Sequence, residues 1–268
     1  MSDYAQEAAR NLAALRAQKP LIHNITNFVV MNYTANALLA MGASPVMAHA
    51  PEEVEEMVGW AGALVLNIGT LTEQWIDSML KAGRAAAARR LPVVLDPVGA
   101  GATAFRTRAA GRIIADVRPA VIRGNASEVL SLRDASSRTQ GVDALHAVDD
   151  AAHCAGLLAR ELDCTLAITG PVDLVTDGSR VARVANGHPL MARVTGTGCT
   201  ATAAIGAFLA VDPDPLSAAA TALAYFGLAG EVAGRSASAP GSFMIGMLDA
   251  LYTISPEQLR EGCRIELT

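Results

Sequence analysis

Short apolar runs recur along the first two-thirds of this chain, each separated from the next by a longer stretch with helical spacing. The runs are Ser44–Met47, Ala63–Leu66, Pro92–Leu95, Ala120–Ile122, Thr165–Ile168 and Leu174–Thr176. Between them, helices are predicted at Asn32–Ala40, Glu52–Val58, Thr72–Arg89, Arg108–Val117 and Asp149–Leu162. Strands alternating with helices at this rhythm predict βαβ units and a mostly parallel central sheet with helices on both faces. After Thr197 the pattern turns almost wholly helical, at Gly198–Ala210, Pro215–Ala233 and Ser242–Tyr252. The break at Asp212-Pro213-Asp214-Pro215 follows from proline, which lacks a donor and restricts its predecessor. The expected fold class is therefore α/β with a helix-rich C-terminal third. No linker or low-complexity tract interrupts residues 1–268, so one domain is expected. Open sheets of this kind keep their ligands at the carboxyl ends of the strands.

Composition narrows the function. Hydrophobic residues make up 51% of the chain but aromatics only 4%, leaving Ala, Leu, Val and Ile to build the core. Mean hydropathy is +0.30, yet no apolar run reaches the ~18 residues of a membrane span. The surplus suits an interior plus an apolar subunit interface, so an oligomer is expected. A net charge of −5 with scattered basic residues argues against nucleic acid. The N-terminus carries Asp3, Glu7 and Arg10 in a mildly helical stretch, without the apolar core of a secretory signal. Cys154, Cys164, Cys199 and Cys263 form no CxxC and no zinc spacing, as expected of reduced thiols in a cytoplasmic protein.

Four segments fall where ligands should sit. Asp96-Pro97-Val98-Gly99-Ala100-Gly101 follows an apolar strand, and a carboxylate there would suit Mg²⁺ shared with phosphates. The same residues are also ordinary turn chemistry. In Arg123-Gly124-Asn125-Ala126-Ser127-Glu128, Asn125 and Glu128 read either as a helix cap or as supports of a magnesium–phosphate cluster, with Arg123 adding charge. Val194-Thr195-Gly196-Thr197-Gly198-Cys199-Thr200 enters an apolar helix. Its glycines let backbone N–H groups of Gly196, Thr197 and Gly198 turn toward an anion, and the helix start adds positive potential. Cys199 then lies in the first turn, where a thiolate is expected to be favoured. The opposing reading is a plain glycine-rich helix entry with a buried cysteine. Finally, Leu21–Asn32 mixes amides with apolar side chains, which suits either a pocket for a small heteroaromatic ring or turn and cap bonding. His23 alone reads as a structural histidine.

The chain contains no GxxxxGK[ST], no GxGxxG opening a helix, no GxSxG and no HExxH, which excludes the P-loop and zincin signatures and demotes dehydrogenases and hydrolases. What it does contain resembles the hydroxyethylthiazole kinases of the ribokinase-like superfamily, along nearly its full length. The resemblance rests on His23-Asn24-Ile25-Thr26-Asn27, Gly42-Ala43-Ser44-Pro45-Val46-Met47, Leu66-Asn67-Ile68-Gly69-Thr70, Asp96-Pro97-Val98-Gly99-Ala100, Ile122–Glu128, Ile168-Thr169-Gly170 and Thr195-Gly196-Thr197-Gly198-Cys199. It implies transfer of a phosphoryl group from MgATP to the primary alcohol of 4-methyl-5-(2-hydroxyethyl)thiazole, in thiamine salvage. By the same resemblance Met47, Gly196 and Asn27 are expected to contact substrate. Arg123 and Thr169 look like nucleotide contacts, with Asn125 beside them, and Asp96 and Glu128 resemble the acids that support magnesium. Cys199 occupies the place of the aspartate base of most ribokinase-like enzymes, and with Gly198 and Thr197 completes the expected catalytic step. A homotrimer with the thiazole pocket between subunits is implied as well. The alternatives are a hydroxymethylpyrimidine or pyridoxal kinase of the same superfamily, and a non-catalytic thiazole- or nucleotide-binding sensor.

Overall fold

A computed structural model describes residues 3–136 and 148–268 of the chain. The elements run α1 (Tyr4–Gln18), β1 (Leu21–Ile25), α2 (Met31–Met41), β2 (Ser44–Val46), α3 (Val54–Trp60), β3 (Ala63–Asn67), α4 (Glu73–Arg89) and β4 (Val93–Asp96). Then follow α5 (Ala104–Val117), β5 (Val121–Asn125), α6 (Ala126–Ser136), α7 (Val148–Leu162), β6 (Thr165–Thr169), β7 (Asp173–Thr176) and β8 (Val181–Val184). A 3₁₀ turn, Pro189–Arg193, leads into α8 (Thr197–Leu209), α9 (Pro215–Gly234), α10 (Pro240–Thr253), α11 (Pro256–Gly262) and β9 (Ile265–Leu267).

The strands form one nine-stranded sheet in the order β2-β1-β3-β4-β5-β6-β7-β8-β9. Pairings from β2 through β6 are parallel, and β7, β8 and β9 continue the sheet antiparallel. Side chains of a strand alternate faces, so each central strand splits between two cores. Val65, Val94, Val121 and Ala167 face a core shared with Leu12, Leu38, Ile205, Phe226 and Phe243, from α1, α2, α8, α9 and α10. Leu64, Leu66, Leu95, Ile122 and Leu166 face the other, with Val54, Ile76, Ile113, Val129 and Leu158, from α3 to α7. The small residues on the first face let α8 settle close to the sheet. A Cβ on Gly206 would come within 2.6 Å of a Val65 methyl.

The parallel sheet, its two helical layers and the helical C-terminal third match the expected class. Three strands lay outside it: β1, β8 and β9. In β1 the polar His23 and Asn24 break the apolar run, although both are buried. Helix α5 starts at Ala104 rather than Arg108 because the Thr103 hydroxyl caps it, accepting from the Arg106 N–H. The fifth strand does not stop at Ile122; it continues to Asn125, which pairs with Thr169 across the sheet. Helix α9 also corrects the hydropathy reading: its 20 residues are long and apolar enough to cross a membrane, but 89% of its apolar window is buried within the fold. It is a core helix.

Candidate active site

The period-two rule places the polar ends of four neighbouring strands on one face. Asn67 follows Val65, Asp96 follows Val94, Arg123 follows Val121 and Thr169 follows Ala167, so all four project toward the side of the sheet that carries α8. Their side chains connect. Asn67 and Asp96 are register partners, and the Asn67 amide donates to Asp96 Oδ2 at 2.7 Å. Thr202, on α8, donates to the same oxygen at 2.8 Å. Arg123 lies 3.9 Å from it and donates to the Thr169 hydroxyl at 2.5 Å. On the other side, the Asn27 amide donates to Asn67 Oδ1 at 2.8 Å and reaches Cys199 Sγ at 3.5 Å.

The network faces the start of α8. Gly196 is the N-cap residue at φ +83°, and no side chain caps the first turn. The first N–H groups of the helix are thus open to the crevice, with its positive end behind them. Gly198 lets the Arg123 guanidinium approach: an added Cβ would lie 2.6 Å from Nη1. Two sources of positive potential meet here, with Asp96 within ion-pair distance of Arg123, an arrangement that favours an anionic ligand. Thr197 contributes its backbone, because its hydroxyl turns away and donates to the carbonyls of Met191 and Val194.

The expectation of a stabilised thiolate at Cys199 is wrong. Burial and then the negative charge of Asp96 push its pKa up to about 11, outweighing the Asn67 and Asn27 hydrogen bonds and the charge of Arg123. A first-turn position favours a thiolate only where solvation survives. At neutral pH Cys199 is a thiol.

The capping reading of the Asn125–Glu128 pair holds. Asn125 Oδ1 accepts from the Glu128 N–H, and Glu128 Oε2 accepts from the Asn125 N–H, each at 2.9 Å, which is a reciprocal capping box. Glu128 Oε1 accepts from the Gly99 N–H at 2.8 Å, drawing the loop after β4 toward the cap. Asn125 therefore spends its carbonyl on the helix start. Asp96 Oδ1 is buried and has no partner, and burial raises its carboxyl to about 6 despite Arg123. An orphaned carboxylate oxygen with a second carboxylate nearby fits a hard cation that keeps waters and shares phosphate oxygens.

Beside this network opens a cavity of about 600 Å³, lined by Arg123, Thr169, Gly198, Asp173, Met191 and Phe226 among others. A wider groove of about 800 Å³, with Arg90 and Arg118 at its rim, opens at the opposite end of the strands and touches none of these groups. Met47 sits just past β2 at the sheet edge, several strands away from Arg123. Asn27 and Gly196 lie between the two regions: a Cβ on Gly196 would meet Val30, which belongs to the turn after Asn27. His23 is buried and bonded through Nε2 to the Ala48 carbonyl at 2.7 Å, and burial lowers its pKa. It is neutral and structural, as its sequence context suggests.

Sequence reasoning singled out no role for Asn67, Thr202 or Arg106. The Arg106 guanidinium donates to the carbonyls of Ile68, Val98 and Gly69 at 2.9, 2.7 and 2.8 Å, tying the loops after β3 and β4 together. An amide closing an apolar strand was the available signal for Asn67, parallel to Asp96. Nothing in the sequence points to the other two.

Comparison with known proteins shows the family and the fold. The model of the hydroxyethylthiazole kinase family matches residues 12–257. The hydroxyethylthiazole kinase of Desulfotalea psychrophila is 67% identical over 99% of this chain and 97% of its own. The structure of a hydroxyethylthiazole kinase protein from Pyrococcus horikoshii OT3 superposes with a TM-score of 0.91 at 47% identity, covering 97% of this chain and 98% of that one. A ribokinase-like superfamily protein from Enterococcus faecalis superposes at TM-score 0.61 and 13% identity over 96% of both chains, a likeness of fold alone.

Proposed function

The chain belongs to the hydroxyethylthiazole kinase family, and we propose that it performs that reaction in the crevice at the start of α8. The reaction transfers the γ-phosphoryl group of ATP to the primary alcohol of 4-methyl-5-(2-hydroxyethyl)thiazole, in thiamine salvage. The observation that carries the assignment of the site is the convergence of Asn67, Asp96, Arg123 and Thr169 on the uncapped first turn of α8.

The nucleotide occupies the 600 Å³ cavity, its phosphates toward Arg123, Thr169 and the backbone of Thr197 and Gly198. Phosphoryl transfer asks a protein mostly for positioning and charge stabilisation, and both are available here. The open N–H groups of α8 face the charge that spreads over the transferring group. Magnesium, when bound, neutralises phosphate charge, and Asp96 with Glu128 would hold it, with Asn125 fixing Glu128 in place. The alcohol enters from the side of Asn27, Gly196 and Met47 and brings its hydroxyl beside Cys199. Because Cys199 is protonated, it positions that hydroxyl rather than removing its proton. Incubation with MgATP and the thiazole alcohol should yield the phosphate ester, and absence of product at high enzyme concentration overturns the proposal. Hydroxymethylpyrimidine and pyridoxal, run in parallel, should be poorer acceptors.

The proposal extends to a cytoplasmic homotrimer in which a neighbour completes the thiazole pocket. Phe28 and Val29 are 62% and 64% exposed in the turn beside Asn27. Leu39 on α2 and Ile245 and Tyr252 on α10 extend the apolar surface, and the Tyr33 hydroxyl joins the two helices by donating to the Met244 carbonyl. Apolar exposure on this scale supports a protein partner.

A further inference from the structure

Asp173 opens β7 directly beside Thr169. It is only 9% exposed, and its Oδ1 accepts from the Gly170 N–H at 2.9 Å. Its other oxygen has no hydrogen-bond partner among the described residues, and the side chain lines the 600 Å³ cavity. Burial pushes its carboxyl up to about 6, with the Gly170 N–H and Arg123 opposing. Holding the turn after β6 needs one acceptor oxygen, and an uncharged side chain would supply it. The retained charge asks for a second role.

The cavity restricts what that role is. Asp173 is the one acid among the described residues lining it. The one side-chain amide there among the described residues, Asn186, is fully engaged, donating to Glu231 and the Gly262 carbonyl and accepting from the Arg264 N–H. An ionised carboxylate accepts hydrogen bonds and repels phosphate, so it must face a donor-bearing part of the ligand. On a nucleoside triphosphate the donors are the ribose hydroxyls and a base amino group. Asp173 bonds to the residue that follows Thr169, close to the phosphate end, whereas Leu223 and Phe226 of α9 supply apolar lining suited to a base. The sugar is the donor nearest the phosphates.

We propose that Asp173 reads the ribose of the nucleotide: its free carboxylate oxygen accepts a hydrogen bond from a ribose hydroxyl, and the enzyme thereby prefers ribonucleoside triphosphates to their deoxy analogues. This rests on the placement of ATP in the same cavity. The informative variant is Asp173→Asn. Its carbonyl keeps the Gly170 bond, while its amide puts a donor where the free acceptor was.

The test compares kcat/KM for ATP with that for 2′-deoxyATP and 3′-deoxyATP in wild type and Asp173→Asn. Wild type should disfavour at least one deoxy analogue by about tenfold or more, the usual worth of a hydrogen bond to a charged group. In Asp173→Asn that ratio should collapse toward unity, with the change in the KM for nucleotide and little in the KM for the thiazole alcohol. Each ratio is internal to one preparation, so a partly misfolded fraction cancels. Calorimetric binding of ADP, 2′-deoxyADP and 3′-deoxyADP to Asp173→Ala repeats the comparison without turnover. Equal use of all three triphosphates by wild type, or an undiminished ratio in the variant, overturns the proposal. So does a change confined to the ATP-to-ITP ratio, which would make Asp173 a reader of the base. Arg123→Gln separates the underlying placement: it should raise the KM of all the triphosphates alike. If it leaves them unchanged, the nucleotide lies elsewhere and the placement itself has failed.

Discussion

At the scale of single residues, the site sets two buried groups against their usual chemistry. Cys199 is held as a thiol by burial and by Asp96, with its pKa pushed up to about 11. Mass-spectrometric mapping of iodoacetamide labelling should therefore show Cys199 reacting slowly at pH 8 and climbing only above pH 9; fast labelling at pH 7 would contradict the assignment. Cys199→Ala should slow turnover yet leave measurable activity, because the role proposed for the thiol is to position the hydroxyl and not to take its proton. Asp96 is raised to about 6 by burial, whereas in an unfolded chain it titrates near 3.8. As pH rises between those values the unfolded chain gives up its proton first. The folded state thus loses stability from this group across that window and stays lower above pH 6. Asn mimics the neutral form and can accept the bonds from Asn67 and Thr202. Asp96→Asn should accordingly be more stable than wild type at pH 7.5, by up to about 2–3 kcal/mol in metal-free urea titrations. The advantage should vanish near pH 4. The same variant should be nearly inactive, a trade of function against stability expected of a carboxylate kept for its charge.

At the scale of elements, the decisive contact is between the start of α8 and the end of β5. Gly198 is in helical conformation, so alanine suits its backbone better by about 1 kcal/mol. Its Cβ, however, would occupy the place of the Arg123 guanidinium, 2.6 Å from Nη1. Gly198→Ala should thus fold with an unchanged or slightly higher Tm while losing roughly 10²-fold or more in kcat/KM for ATP, as Arg123 leaves Thr169 and Asp96. Gly198→Val should be worse. Near wild-type kinetics in either would overturn the anion-site assignment. The motif after β5 shows how local chemistry and site construction coincide. The capping box that starts α6 is readable from Asn125 and Glu128 alone, but the Gly99 N–H that also binds Glu128 belongs to another loop. Sequence spacing reveals a cap; it does not reveal what else the cap carboxylate holds.

At the scale of the whole molecule, Phe28, Val29, Leu39, Ile245 and Tyr252 are among the large apolar side chains an isolated chain leaves exposed. Sedimentation equilibrium should give about three times the 27.7 kDa of one chain. Ile245→Glu should shift that mass toward one chain and reduce turnover with it, since a charge in an apolar interface is costly to bury. A monomeric wild type with full activity would remove the shared pocket. The sequence by itself determined the parallel sheet, its helical layers and the glycine-rich entry to α8, because strand and helix periodicity and glycine positions are local properties of the chain. It also determined which strand ends carry polar groups. Only the tertiary structure decided that Asn67, Asp96, Arg123 and Thr169 share one face and meet α8, since that depends on the strand order and on how closely Gly206 lets the helix approach. It likewise decided the state of Cys199. A first-turn cysteine has the sequence of a thiolate, but the burial and the neighbouring Asp96 charge that keep it a thiol exist only once the sheet and the helix have packed.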